Sequence, residues 1–202
     1  MGFLSRSVGF CRYRVTEPPP ENFWTWAEEA MTSRRFLEPE GPPVPVVSGW
    51  VSIRDSFRPG LTLDDISFGE YLLASLRVDE RRVPPAVLKK HCLLEEQRIM
   101  DERGLKHLPG RVRTEIRDRL HHKLLAKAFP VPKVHDLCWN VRTGQVLFFS
   151  CQERAQALLE DLFHATFGTR LLPLVPYTLA ADVLRSPEDR QRLAGLRAEA
   201  WV

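Results

Sequence analysis

Pro84 and Pro85 at one end, and Pro130 at the other, bracket the segment that most constrains how this chain can fold. A strand-like run over 67–83 must stop at Pro84. A residue without an N–H removes a bond from a sheet ladder, but it fits the first turn of a helix. The run PPAVLKKHCLLEEQRIMDERG (84–104) then places Val87, Leu88, Cys92, Leu94 and Ile99 at helical spacing and closes on Gly104. That spacing predicts an amphipathic helix. LKHLPG is a turn, and RVRTEIRDRLHHKLLAKAFP (111–130) is a second helix with Val112, Ile116, Leu120, Leu124 and Ala128 in an i, i+4 row. Two strands are therefore joined by a helical hairpin, and 84–132 is expected to form a tip inserted into the rest.

Around this hairpin the signals alternate between strand and helix. SVGFCRYRV (7–15) reads as a strand with Val8, Phe10 and Tyr13 toward the core. ENFWTWAEEAMTSRRF (21–36) reads as a helix whose apolar face is Phe23, Trp26, Ala27, Ala30 and Met31. PVVSGWVSI (45–53) is a strand with a bulge expected at Gly49, and SFRPGLTLDD (56–65) is a turn region. In the strand over 67–83, Leu72, Ala74, Leu76 and Val78 are expected to face the core, and Tyr71, Leu73, Ser75 and Arg77 the opposite side. KVHDLCWNVRTGQVLFFSC (133–151) is a β-hairpin turning at RTGQ. QERAQALLEDLFHATFG (152–168) is a helix, RLLPLVPY (170–177) a short strand, and the tail a short helix with a ragged end. This order predicts an α+β fold with mixed or antiparallel sheets packed with helices and a projecting helical hairpin. Residues 1–83 and 133–180 would form a central domain of two β-α-β-like halves, and 181–202 a tail.

Charge is concentrated in the hairpin. Residues 84–135 hold 12 Lys and Arg against 6 Asp and Glu, although the whole chain carries only +3. Five of the six His lie there too. Arg113, Arg117 and His121 flank the apolar row of the second helix on one side, and Arg119, Lys123 and Lys127 on the other. Long stems let such side chains pack low and hold their charged heads in water. A regional basic surface suits a polyanion, with binding to phosphates rather than to bases. The competing reading is a solvated surface helix on which Glu115 and Asp118 pair with neighbouring Arg, and Glu95 and Glu96 offset the cations around them.

Catalytic signals are sparse. Asp64 and Asp65, with Glu70 a few residues on, are the acids a metal-dependent nuclease would use. No companion acidic motif follows them, and Asp in a turn commonly serves the turn. His121 and His122 have no acidic or nucleophilic neighbour in sequence, and His164 stands alone on a helix. Cys11, Cys92, Cys138 and Cys151 lack metal-ligand spacing and read as reduced thiols. No catalytic residue, metal site or cofactor is assigned. The N-terminal segment lacks the apolar run of a secretory signal or membrane span, so no membrane partner is expected.

The series of motifs resembles the recombination-associated RdgC family. The resemblance rests on FCRYRV, GWV (49–51), VPPAVLKK, the basic helix closing as LLAKAFP, LCWNVRTGQVLFFSC, ERAQALLEDL and LPLVP, in that order from about residue 5 to residue 178. It implies a non-catalytic protein that binds double-stranded DNA through its phosphate backbone. A ring-shaped homodimer lined by basic residues would enclose the duplex and limit the RecA recombinase, in the cytoplasm and on the nucleoid. Arg111, Arg113, Arg117, Arg119, Lys123 and Lys127 are the expected phosphate contacts, with Lys89 and Lys90 beside them. The resemblance assigns Phe129 to the contact between subunits at the hairpin tip. Typical members carry a Lys-rich run where 103–113 has Leu-Pro-Gly, so fewer cations are expected at this tip. Family members also continue past the LPLVP strand with a further domain that helps form a second subunit contact. This chain reads as a short form without that domain. The alternatives are the nuclease using Asp64, Asp65 and Glu70, and a protein-interaction module without DNA binding.

Overall fold

A computed structural model describes residues 3, 7–58, 60–184 and 186–196. The strands are β1 (Cys11–Val15), β2 (Val46–Val51), β3 (Ser67–Phe68), β4 (Tyr71–Arg81), β5 (Pro130–Asn140), β6 (Gln145–Phe148) and β7 (Leu171–Pro173). The helices are α1 (Phe23–Ser33), α2 (Leu63–Ile66), α3 (Pro85–Arg103), α4 (Gly110–Lys127), α5 (Glu153–Phe167), α6 (Pro176–Val183) and α7 (Pro187–Gly195). The strands form one sheet in the order β2-β4-β5-β6-β1-β7, with β3 on β4. β1 pairs antiparallel with both β6 and β7, and β5–β6 and β3–β4 are antiparallel as well. The fold is α+β, and the sheet is antiparallel rather than mixed.

The chain divides into two compact units, one of residues 1–36, 49–77 and 134–202, the other of 37–48 and 78–133. In the first, α1 and α5 bring an aromatic core to one face of the sheet. Trp139 from β5 meets Phe23 at 4.9 Å, Phe163 at 5.4 Å and Phe167 at 5.3 Å between ring centroids. Ala27, Met31 and Leu159 are fully buried. Val146 and Phe148 of β6, also fully buried, alternate with the less buried Leu147, as a strand facing a core must.

The other face of the sheet is covered too, which alternation alone does not reveal. Leu73 packs with Cys138 and Phe149 in a second apolar cluster. Ser75 Oγ donates to Asp136 Oδ1 at 2.6 Å. Arg77 is buried, its guanidinium 4.1 Å from the Phe36 ring centroid and 4.8 Å from that of Phe57. The expected core set Leu72, Ala74, Leu76 and Val78 is buried as read, but Leu73, Ser75 and Arg77 of the opposite face are buried as well, and only Tyr71 of that set is exposed.

Other elements differ from their sequence reading for identifiable reasons. The first strand begins only at Cys11, opposite Phe148, so Val8 and Phe10 fall outside the ladder and stay exposed, while Tyr13 and Val15 enter the core. The run 67–83 is not one strand. Gly69, with φ of 64°, turns β3 back onto β4. Part of the expected turn 56–65 is the single helical turn α2. Gly49 has a packing role. It lies within β2, where the backbone of Arg35 and Phe36 passes close by, and Phe36 N–H donates to Trp50 O at 2.9 Å. The segment after LPLVP, expected to run on as strand to 177, starts α6 at Pro176. The tail helix is α7, and its expected ragged end lies outside the described residues.

The second unit is dominated by α3 and α4. The helix ends follow the local chemistry: Pro85 occupies the first turn of α3, and Gly104 caps it in the left-handed conformation with φ of 62°. Leu108, Ile116 and Leu125 are buried, but no α3 residue is. The predicted row on α4 is thus narrower than drawn: Val112, Leu120, Leu124 and Ala128 are only half-buried, and Leu125 takes the inner position beside them.

Candidate nucleic-acid interface

With so little apolar burial, much of what joins the hairpin helices is ionic. Glu95 of α3 accepts from Arg98 Nη2 at 2.8 Å and from Arg119 Nη2 of α4 at 2.7 Å. Arg98 also reaches Glu102 at 2.7 Å. Arg113 Nε lies 3.4 Å from Glu96, and Arg111 Nε 3.1 Å from Glu115 within its own helix. The hydrogen bond from Arg98, joined by the charges of Arg98, Arg119 and Lys123, holds the Glu95 carboxyl below the usual range. Exposed pairs of this kind contribute little stability each. Their larger effect is on the potential outside the helix, because a paired Arg offers less field to an approaching anion.

This sorts the predicted cations. Arg111, Arg113 and Arg119 are engaged by Glu115, Glu96 and Glu95, and Lys123 lies in the field of Glu95. Lys89, Lys90, Arg117 and Lys127 are exposed, and among the described residues they form no ion pair. Lys89 from α3 and Arg117 from α4 line one cavity of about 240 Å³ with Pro85, Leu88 and Cys92. Two cations over a partly apolar floor form a place where a phosphate oxygen can be met from two sides. Sequence spacing does not show this convergence, because it depends on the register between the two helices.

Phe129 lies just beyond the end of α4 and is 88% exposed. An average Phe is largely buried, so this ring is available to a second surface. Its position is set by its neighbours: Arg81 Nη1 donates to Ala128 O, and Pro130 opens β5. A second cavity of the same unit, about 580 Å³, lies among Pro45, Val83, Pro84, Pro85 and Leu125. The arginines on its rim are already engaged, Arg81 on Ala128 O and Arg82 on Glu80 at 2.6 Å.

Two of the three acids considered for a nuclease, Asp65 and Glu70, have other tasks. Asp65 is buried, and its Oδ2 accepts from Thr62 N–H at 3.1 Å and Thr62 Oγ at 2.8 Å, securing the start of α2. Burial pushes this carboxyl up, but the Thr62 hydrogen bonds and the Arg58 charge outweigh it and hold the group below the usual carboxylate range. Glu70 is bound by Arg142 Nε at 2.8 Å and Asn140 Nδ2 at 3.1 Å, and the Arg142 bond keeps its carboxyl low. Asp64 is exposed. Among the described residues no three His, Cys, Asp or Glu are grouped to hold a metal ion. No helix among them is long and apolar enough to cross a membrane.

A family model described as "Putative exonuclease, RdgC" matches residues 11–184. No curated protein matches the chain.

Proposed function

The chain belongs to the RdgC family, and from that premise we propose that it binds double-stranded DNA through the phosphate backbone, without catalysis, and moderates homologous recombination by limiting RecA. The observation that carries this reading is the convergence of Lys89 and Arg117 on one cavity of the hairpin while the acids nearby are spent on other arginines. Lys90 and Lys127 add exposed charge, and Arg111, Arg113, Arg119 and Lys123 supply a weaker surrounding field. Such a surface reads backbone charge and no sequence. Self-association through Phe129 belongs to the same proposal, as does a place on the nucleoid. The exonuclease in the family description finds little support in Asp65 and Glu70, whose carboxylates hold the fold together.

A salt titration of duplex binding tests the reading. Each phosphate contact contributes about −0.9 to the slope of log K against log salt. The double variant Lys89→Ala, Arg117→Ala is expected to flatten the slope by about 2, and the duplex should stay intact in Mg²⁺. Unchanged binding in the variant would remove the phosphate assignment. Absence of any binding at low salt would favour a protein-interaction module, and cleavage lost on Asp64→Asn would favour the nuclease.

Phe129→Ala is expected to weaken dimerisation in light scattering and to leave the melting temperature within about 1 °C, since an exposed side chain contributes little to folding. A large drop in melting temperature would instead make Phe129 a packing residue.

A further inference from the structure

Two cysteines far apart in sequence come together in the first unit. Cys11 opens β1, and the β1–β6 register sets it opposite Phe148, three residues before Cys151. The Cys151 sulfur lies against Gly9, so close that a Cβ added there would sit 3.2 Å from it. Gln156 Nε2 of α5 donates to Cys11 Sγ at 3.3 Å, which orients that thiol. Cys151 is exposed and Cys11 half-buried, and both are free thiols. Cys138, by contrast, is buried.

We infer that Cys11 and Cys151 form a peroxide-sensitive dithiol whose oxidation ties β1 to the start of α5. The exposed Cys151 thiolate attacks an oxygen of hydrogen peroxide, the O–O bond breaks to leave a sulfenic acid and hydroxide, and the hydroxide takes up the proton that the thiol gave to solvent and becomes water. The Cys11 thiolate then attacks the Cys151 sulfur, the S–O bond breaks, and the departing hydroxide takes a proton to leave as water. Two thiols and one peroxide become one disulfide and two waters. Burial, followed by the electrostatic effect and hydrogen bonding of the Cys151 thiol, pushes the Cys11 thiol up. The second step therefore runs faster at higher pH, where more Cys11 is thiolate.

The test is hydrogen peroxide treatment of the full-length chain, followed by alkylation and peptide mapping without reductant. The expected product is a Cys11–Cys151 linked peptide with Cys92 and Cys138 alkylated, reversed by dithiothreitol, and a higher melting temperature for the oxidised protein. Cys11→Ser should leave Cys151 as sulfinic or sulfonic acid, because the sulfenic acid has no thiol to condense with. The inference is overturned if the wild type accumulates the same over-oxidised Cys151 with Cys11 still alkylatable, or if the disulfide found joins any other pair.

Discussion

Trp139→Ala is expected to destabilise the protein by about 4 kcal/mol, in the range for emptying a large buried aromatic site. The indole is 1% exposed and touches three rings, from Phe23 on α1 and from Phe163 and Phe167 on α5. Truncation would remove a side chain that touches rings from both helices. A ring contact between α1 and α5 would remain at Trp26, which lies 5.3 Å from Phe167. Urea denaturation measures the loss, and a variant within about 1 kcal/mol of wild type would contradict the packing described. Trp139→Phe is expected to recover more than half of it. It keeps a ring among the three partners, and it removes the indole N–H, which finds no acceptor among the described residues.

Gly49→Ala is expected to cost about 3 kcal/mol, the upper part of the range for forcing atoms into packed space. A Cβ there would meet Phe36 Cα and N at 2.5 Å and Arg35 C at 2.9 Å. These are backbone atoms, so no side-chain rotation relieves the clash. The strand or the 34–36 segment must move, breaking the bonds from Phe36 N–H to Trp50 O and from Trp50 N–H to Arg34 O, at 2.9 Å and 3.1 Å. The neighbouring Arg77 would lose register with Phe36, on whose ring it rests. Thermal melting reads the effect, with a fall of roughly 6–12 °C expected for a chain this size. An Ala variant that melts with the wild type would mean that β2 and the 34–36 segment are not so closely apposed.

Local chemistry made the helical hairpin legible. Pro84–Pro85, Gly104 and Pro130 act through the backbone of their own residues, and the observed limits of α3 and α4 follow them closely. The trios Leu72–Ala74–Leu76 and Phe23–Ala27–Met31 were legible too, because periodicity marks a buried face whatever covers it. What covers a face was not legible. Arg77 looks like a solvent residue until Phe36 and Phe57, from distant segments, close over it. At the candidate site, the cations were evident, and so were the acids Glu95 and Glu96. Which Arg each acid takes, and that Lys89 meets Arg117, depends on helix register. Cys11 and Cys151 carried no signal at all, since a separation this long leaves no spacing to read.

The position of β1 has a consequence for how the protein is made. This strand leaves the ribosome before the other strands of the sheet, yet its hydrogen-bonding neighbours are residues 145–148 and 171–173. At ~5–20 residues per second it waits roughly ten seconds for a partner. During that time both of its edges are open to other nascent chains. Arg12 and Arg14 alternate with the apolar Tyr13 and Val15 along it. They give the waiting strand a charge that discourages pairing with its own copies until β6 and β7 arrive.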